Sequence, residues 1–246
     1  MPFKLYSVPA TFKTEAVVLR SIRFGEADRV LHLYSPDHGR LGAVAKGVRR
    51  VKSRLGGRLE PPARVNLVLH KGRGELCTVS AADTVHAHPA LRERRGSLER
   101  ATQACEAVLR LLDTTEANRP AFNLLTNELT LLDSEPGAAT RAQALAFRAK
   151  LLLAAGFAPE LAACASCGER DGLGAFSPSA GGVVCSGCEA GSFALDGVAH
   201  RFLVDALSKP LAEVPTAPHG ALGQADRALA ETAEYHAHVR LRRLPA

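Results

Sequence analysis

The sequence lacks the features of a membrane or secreted protein. None of its uninterrupted apolar runs approaches the roughly 20 residues that a membrane-spanning helix needs. The N-terminal stretch MPFKLYSVPATFK has no apolar core of the signal-peptide type. A chain of 246 residues with 46% hydrophobic side chains can nevertheless bury at least one substantial core. We therefore expect a folded protein of one to three domains that resides in the cytoplasm and has no membrane partner.

Motifs of common enzyme classes are also missing. The glycine-rich stretch KGRG, Lys71 to Gly74, lacks the GxxxxGK[ST] pattern of a phosphate loop, and neither HExxH nor GxSxG occurs. Asp and Glu are dispersed and form no cluster dense enough for a two-metal nuclease site. We expect a protein that is not an enzyme, and we keep a nucleic-acid-modifying enzyme as an alternative.

Positive charge is present, and it is unevenly distributed. Residues 1–75 contain 15 Lys and Arg against six Asp and Glu, whereas the remaining 171 residues contain 16 against 19. The densest part is the segment Ala45–Pro62, called here the basic loop, which has one anion, Glu60. An excess of cations on so short a segment indicates a polyanionic partner, and a solvated, mobile loop is the alternative. Its cations are Lys46, Arg49, Arg50, Lys52, Arg54 and Arg58.

The first third of the chain has the pattern of β-strands. In RVNLVLH, Val65, Leu67 and Leu69 alternate with less apolar positions, which is the period of a strand with one face on a core. Five such runs in about 75 residues predict a small closed barrel, of the OB type or alternatively SH3-like. The runs are EAVVLRSIRF, RVLHLYS, RLGAVAKGV, RVNLVLH and ELCTVSA.

After about residue 88 the apolar period becomes helical. Apolar residues recur at spacings of three and four in three successive segments, and Ser97, Pro120 and Gly156 suggest an N-cap, a first turn and a helix end. Residues 197–208 and 222–243 have the same character. The fold class expected is thus α+β: an N-terminal five-stranded OB-type barrel followed by an α-helical domain.

A four-cysteine group interrupts the helices. Cys164, Cys167, Cys185 and Cys188 have the spacing C-x2-C-x17-C-x2-C, in which each tight turn aims two thiolates at one ion. Four thiolates suit one tetrahedral Zn²⁺ and leave no position for water, so the predicted zinc is structural, and its binding supplies folding energy to the module. A pair of redox dithiols is the alternative.

Other candidate residues are assigned to the core. Cys77 falls in a predicted strand and Cys105 on a helix stripe, so both are expected to be small buried side chains. Phe12, Phe24 and Tyr34 are the aromatic residues available for base stacking in the barrel, and we expect each in the core. The predicted division is 1–85 barrel, 86–160 helical domain, 161–195 zinc module and 196–246 helical again.

The stretch Gly39–Leu76 resembles the N-terminal motif of the bacterial recombination mediator family RecO. In that family a G-R-x-x-x-x-A-K-G-x-R segment precedes a basic S-x-L-x-x-x-L-x-P stretch, and GRLGAVAKGVRRVKSRLGGRLEPP contains both. The order of parts, with an OB barrel, a helical domain and an inserted four-cysteine zinc module, is also similar to RecO. The detailed match to the family's motif extends over about residues 15–80.

The resemblance implies a function in DNA repair and recombination. A RecO protein binds single- and double-stranded DNA without sequence specificity, anneals complementary strands, and works with RecR to replace single-strand binding protein by RecA. In this sequence the six cations of the basic loop would contact phosphates, which position DNA without specifying sequence, and Arg20, Arg23 and Arg29 would extend the track. A protein adaptor that binds an acidic tail through the same surface is the alternative.

Overall fold

The structure is a computed structural model of the 246-residue chain. It describes residues 11–51, 53–72 and 74–244. The chain divides into two compact units, and each is described by itself below. The first unit combines Met1–Pro89 with Asp113–Phe122, and the second combines Ala90–Leu112 with Asn123–Ala246.

Five β-strands build the first unit: β1 (Thr11–Phe24), β2 (Asp28–Ser35), β3 (Gly39–Ala45), β4 (Arg64–Lys71) and β5 (Cys77–His86). They close into a barrel in the order β1-β2-β3-β5-β4. Neighbours pair antiparallel, except β3 and β5, which run parallel. This arrangement confirms the predicted barrel and makes it OB-type rather than SH3-like.

Alternating side chains fill the barrel. Along β4, Val65, Leu67 and Leu69 are at most 2% exposed and belong to the barrel core, as the period of two predicts. β1 is 14 residues long and pairs with both β2 and β4, and its register with β2 shifts between Val18 and Arg20. A bulge of this kind lets one long strand bend enough to close a barrel.

Two strand ends differ from the predicted ones. β3 ends at Ala45 and does not run on to Val48, because Gly47 has φ +63° and its N–H donates to the Asp28 carboxylate at 2.7 Å. β5 instead continues to His86, five residues beyond the run that predicts it. The turn at Gly47 brings the start of the basic loop beside the start of β2.

The segment Asp113–Phe122 packs with the barrel, although it follows the first helical stripe of the sequence. The Arg40 N–H donates to the Thr114 carbonyl oxygen at 2.9 Å, and Arg119 forms an ion pair with Asp37. Backbone hydrogen bonds and a surface ion pair leave no periodic signal in the sequence. The return of the chain to the barrel is therefore absent from the sequence prediction.

Six α-helices lie among the described residues: α1 (Pro89–Glu93), α2 (Arg95–Leu111), α3 (Arg119–Ser134), α4 (Arg141–Ala154), α5 (Gly197–Ser208) and α6 (His219–His236). In the second unit α4 contacts α2, α5 and α6. Its residues Leu145, Phe147 and Leu152 are at most 2% exposed, so α4 is the central helix. The predicted helical domain is confirmed. No helix in the described ranges is both long and apolar enough to cross a membrane.

Helix ends follow the sequence signals only in part. α4 stops before Gly156, which has φ +83° as the predicted stop requires. Pro120 lies in the first turn of α3, as expected. Ser97, however, is not an N-cap: α2 begins at Arg95, its N-cap is Arg94, and Ser97 is buried within the helix. The preceding helix α1 ends at Glu93, so the chain turns into α2 before the serine is reached.

α6 differs most from its prediction. It runs from His219 to His236 and not over 222–243, because the chain reverses at His238, which has φ +55°. The residues after it pack on the helices, and Leu241 and Leu244 are buried.

A buried ion pair holds this C-terminal stretch. Arg148 of α4 pairs with Asp226 of α6 at 3.2 Å, and Arg148 also donates to the Arg242 carbonyl oxygen. The Leu244 N–H donates to the same Asp226 carboxylate at 3.3 Å. Backbone groups that a longer helix would have satisfied internally are thus satisfied by buried charged side chains.

Candidate functional site

The four cysteines lie in a small module built on three short strands, β6 (Leu173–Ser177), β7 (Gly182–Cys185) and β8 (Phe193–Ala194), in the order β7-β6-β8. Cys164 and Cys167 lie in a tight turn that precedes β6. That turn is closed by the Gly168 N–H, which donates to the Cys164 carbonyl oxygen at 2.8 Å, and Gly168 has φ +81°. Cys185 ends β7, and a 3₁₀ turn, Ser186–Cys188, carries the fourth thiol.

The four Sγ atoms form one cluster, because they all lie within 4.8 Å of one another. The Sγ atoms of Cys167 and Cys185 are 3.7 Å apart. Four thiolates around one Zn²⁺, with bonds of about 2.3 Å, would place their sulfur atoms about 3.8 Å apart. The cluster is therefore capable of holding a metal ion, and its compactness favours a single ion over two separate dithiols.

The thiols of the cluster differ in acidity. Hydrogen bonding from the Cys185 N–H holds the pKa of the Cys164 thiol below its usual value. Hydrogen bonds with the Cys167 and Cys185 side chains raise the pKa of the Cys188 thiol to about 12, because they favour its protonated form. A cation bound between the four sulfur atoms would favour the thiolate form of all the ligands.

Residues outside the cluster hold the module on the helices of the second unit. The Arg227 guanidinium of α6 lies 3.9 Å from the Phe193 ring centroid, and the His236 Nε2 atom is 2.8 Å from the Pro178 carbonyl oxygen. Gly182 pairs with Glu160, whose carbonyl oxygen would lie 2.3 Å from any Cβ placed at position 182. Sequence spacing predicts the thiol cluster but not this attachment.

Burial follows the expectation for the other two cysteines. Cys77 in β5 and Cys105 in α2 are both buried and lie outside the cluster. Burial raises the pKa of the Cys105 thiol to about 12, so it remains protonated.

The exposed charges near the cluster are mainly acidic: Glu169, Asp171 and Glu189, with Arg170 among them.

The basic loop is anchored and is not a free tether. Val48 and Leu59 from the loop are at most 4% exposed and belong to the barrel core. The Arg49 N–H donates to the Ala27 carbonyl oxygen at 2.9 Å, and the Arg49 guanidinium donates to the Glu26 carbonyl oxygen at 3.0 Å. These bonds place the loop against the turn between β1 and β2.

Anchoring leaves most of the loop's cations in solvent. Lys46, Arg49, Arg50, Arg54 and Arg58 are exposed, whereas Lys52 lies outside the described residues. Arg58 donates to the Ala82 carbonyl oxygen at 2.9 Å. Within the ranges that the structure describes, no carboxylate pairs with Lys46, Arg50 or Arg54.

Two arginines of β1, Arg20 and Arg23, are also exposed. Arg20 lies opposite His32 of β2, and Arg23 lies opposite Arg29. Burial lowers the pKa of His32, and the charges of Arg40 and Arg20 lower it further, so this side chain is neutral at pH 7. Arg29 is only part-exposed and pairs with Glu60 at 3.1 Å, so its charge is already neutralised.

The aromatic residues of the barrel do not all follow the prediction. Tyr34 is 1% exposed, as expected for the core, and Phe12 packs against the barrel core while partly buried. Phe24 is 57% exposed, so its assignment to the core is wrong. Phe24 lies two residues after Ile22, on the outer face of β1, so the barrel interior does not cover it.

The structure thus defines a class of protein: a small OB-type barrel with an exposed basic loop, followed by a helical unit that carries a four-cysteine cluster capable of holding a metal ion. Comparison with known families specifies the class. Residues 10–88 match the family model described as Recombination protein O N terminal, and residues 98–245 match Recombination protein O C terminal. The chain belongs to the RecO family, whose curated members are named DNA repair proteins.

Relatives support the assignment over most of the chain. The chain is 39% identical to the DNA repair protein RecO of Rubrobacter xylanophilus, and the alignment covers 73% of this chain and 72% of the relative. It is 36% identical to the RecO of Cutibacterium acnes, with 73% and 74% covered. The RecO of Pelotomaculum thermopropionicum is 39% identical, with 73% and 69% covered.

Proposed function

We propose that this protein acts in DNA repair as a DNA-binding recombination mediator and not as an enzyme. Membership of the RecO family supports the role in DNA repair, and the basic loop supports DNA binding. The observation that carries the proposal is an anchored loop whose exposed cations Lys46, Arg50 and Arg54 have no carboxylate partner among the described residues. Cations held in place without such a partner are suited to phosphates.

In this proposal the phosphate contacts are spread along the barrel. Contacts of this kind hold the backbone of single- and double-stranded DNA without specifying sequence. A cationic surface also screens two strands that otherwise repel, which allows complementary strands to anneal. The proposed DNA-binding residues are Lys46, Arg49, Arg50, Lys52, Arg54 and Arg58, extended by Arg20 and Arg23.

Partners and location complete the proposal. Working with RecR, the protein helps load RecA on DNA that is coated with single-strand binding protein, in the cytoplasm and in association with the nucleoid. One structural Zn²⁺, held by Cys164, Cys167, Cys185 and Cys188, maintains the module, and four protein ligands leave no open position for water. No catalytic residue is assigned.

The test is DNA binding by a charge-reversal variant in which Lys46, Arg50 and Arg54 are replaced by Glu. Fluorescence anisotropy with labelled single-stranded and duplex oligonucleotides measures affinity, and a two-oligonucleotide assay measures annealing. We expect affinity to fall by at least about tenfold on both DNA forms, because three phosphate contacts become repulsive. Annealing should fall with it.

A matched control changes net charge equally at exposed arginines of the second unit: Arg170, Arg201 and Arg243 to Glu. The control should bind DNA within about twofold of the wild type. Equal DNA binding by the barrel variant and the wild type would contradict the proposal. If the barrel variant lost binding to an acidic peptide but kept DNA binding, the protein-adaptor function would replace it.

A further inference from the structure

A row of apolar side chains crosses the outer surface of the barrel. Ile22 of β1 lies opposite Val30 of β2, and Val30 lies opposite Val44 of β3. Leu31 and Ala43, the chain neighbours of Val30 and Val44, belong to the barrel core, so the three paired residues share the outer face. Ile22 is 40% exposed, and Val30 and Val44 are half-buried. We call these three paired residues the outer row.

Phe24 continues the outer row at its β1 end. It lies two residues after Ile22 on the same face of the strand, opposite Asp28, and it is 57% exposed. Folding normally removes a phenylalanine from water, because a buried aromatic side chain stabilises a core by about 2–3 kcal/mol. An exposed phenylalanine that continues a row of outward-facing apolar side chains therefore points to a surface that binds a ligand.

Positive charge flanks this surface. At one side Arg20 occupies the next outward position along β1 from Ile22. At the other side the basic loop begins directly after Val44, and Arg49 bonds to the carbonyl oxygens of Glu26 and Ala27 in the turn that follows Phe24. The end of β1 that carries Phe24 is thus followed by a turn that is bonded to the loop to which we assign phosphate contacts.

An aromatic ring beside phosphate-binding cations fits one ligand best, a single strand of DNA. Single-strand binding proteins combine a cationic groove for the backbone with aromatic rings on which bases stack. In a duplex the base faces are already stacked on one another, so Phe24 has nothing to contact there. An acidic peptide would satisfy the cations but would leave the ring without a flat partner.

We propose that Phe24 stacks on a base of single-stranded DNA whose backbone the basic loop holds, with the outer row supporting the adjacent base. This rests on the proposed function and deepens it, because it gives the surface a preference for single strands. Stacking engages the face of a base and leaves its Watson–Crick edge free. A strand held in this way can still pair with its complement, as annealing requires.

The first experiment uses a tryptophan reporter. The chain contains no tryptophan, so Phe24→Trp introduces a single indole whose fluorescence is quenched when a base stacks on it. We expect single-stranded oligothymidine to quench the emission, whereas duplex DNA and an abasic oligonucleotide of equal length bind with little quenching. Tyr235→Trp, at a 54% exposed position of α6, is the matched control and should not respond.

The second experiment measures affinity. Phe24→Ala should weaken single-strand binding by about 5- to 150-fold, the range for losing one stacked base, while duplex binding stays within about twofold. Tyr235→Ala should leave both affinities unchanged. An equal loss on both DNA forms, or no loss, would overturn the proposal. Quenching of the Phe24→Trp variant by an acidic peptide and not by oligothymidine would overturn it as well.

The two proposals fail in distinguishable ways. If the wild type bound neither DNA form, the proposed function itself would be wrong. If the wild type bound both DNA forms and Phe24→Ala bound each form as tightly as the wild type does, the cations would act without base stacking. Only this inference would then be wrong. Circular dichroism of each variant establishes that the barrel has folded, and replacing a surface side chain is not expected to unfold it.

Discussion

Single cations of the basic loop differ in what they already bind. Arg49 and Arg58 each donate to a backbone carbonyl oxygen of the barrel, whereas Lys46, Arg50 and Arg54 have no carboxylate partner among the described residues. Substituting Arg49 or Arg58 therefore alters the position of the loop as well as its charge. The other three cations are the better choice for testing DNA binding alone.

Gly39 is a residue at which the backbone conformation and a close contact both require glycine. It has φ +56°, and a Cβ there would lie 2.3 Å from the Glu116 carbonyl oxygen. Gly25 has nearly the same φ, +55°, with nothing within 4 Å, and provides a matched control. We expect Gly25→Ala to lower the free energy of unfolding by about 1 kcal/mol, and Gly39→Ala by about 1–3 kcal/mol more.

Urea denaturation followed by circular dichroism measures both variants. The difference between the two isolates the contact with segment Asp113–Phe122 from the cost of the backbone conformation. Equal destabilisation would mean that the segment moves aside without loss.

Glu128 of α3 is the buried carboxyl group with the clearest expected pH effect. It is 1% exposed and accepts a hydrogen bond from the Gln143 side chain at 2.8 Å, and burial raises its pKa from 4.5 to about 7. The folded state therefore binds a proton that the unfolded state has released between these values. Its contribution favours folding at low pH and is lost as the pH rises from about 4.5 through 7.

Glu128→Gln removes this titration and keeps an acceptor for Gln143. We expect the variant to match the wild type at low pH and to exceed its free energy of unfolding by roughly 3 kcal/mol at pH 8. Denaturation curves across the pH range measure this difference, and Glu135→Gln, at an exposed position, is the control. Parallel pH profiles for wild type and Glu128→Gln would show that Glu128 is not responsible.

At the scale of elements, the module that contains the four cysteines depends on local spacing for its thiol cluster and on distant residues for its attachment. The Cys-x-x-Cys turns are local, so their spacing alone predicts the thiol cluster. The attachment through Phe193, Pro178 and Gly182 depends on residues of α6 and on Glu160. Removal of the proposed zinc should therefore loosen the module and its contacts with α6 together.

We expect a double variant, Cys164→Ser with Cys167→Ser, to lose the zinc that we propose for the cluster and to unfold at a lower temperature, because hydroxyl groups do not replace thiolates on the metal. Release of zinc to a chromophoric chelator should fall from about one ion per chain to none. Ser166→Ala, in the same turn, is the control and should keep the metal. A variant that stayed equally stable but no longer bound DNA would give the module a direct role in DNA contact.

Helix interiors followed the sequence better than helix ends. The apolar stripes of α2, α3 and α4 were predictable because burial of one face is set by residue spacing. The start of α2 was not predictable from Ser97, because α1 leads directly into α2. The end of α6 was not predictable either, because the ion pair of Arg148 with Asp226 favours a reversed chain after His236. Local signals compete at helix ends with contacts that sequence spacing does not contain.

At the scale of the whole molecule, charge is concentrated in one part of the chain. The excess of cations in residues 1–75 coincides with the barrel strands and the basic loop. A partner bound through about five phosphates would release counterions. The logarithm of the binding constant should then fall with the logarithm of salt concentration, with a slope of about −3.5 on single strands and about −4.5 on duplex.

Anisotropy titrations at several salt concentrations measure these slopes. Replacing Lys46, Arg50 and Arg54 by Glu should flatten the single-strand slope by about 2, because three contacts are lost. A slope near zero in the wild type would show that binding does not depend on phosphate contacts.

The division of the chain into 1–85, 86–160, 161–195 and 196–246 remains a prediction. The two compact units follow a different course, because Asp113–Phe122 belongs with the barrel. Limited proteolysis, with fragments identified by mass, would test where the chain separates into stable parts.

The sequence by itself determined the barrel strands, the helical stripes, the cysteine cluster and the basic loop, because each is encoded in residue type and short-range spacing. Only the tertiary structure decided that Phe24 is exposed, that Asp113–Phe122 returns to the barrel, and which cations are already bonded. These outcomes depend on residues far apart in the chain. A spacing pattern identifies the face of a strand or helix, but the fold decides what covers that face.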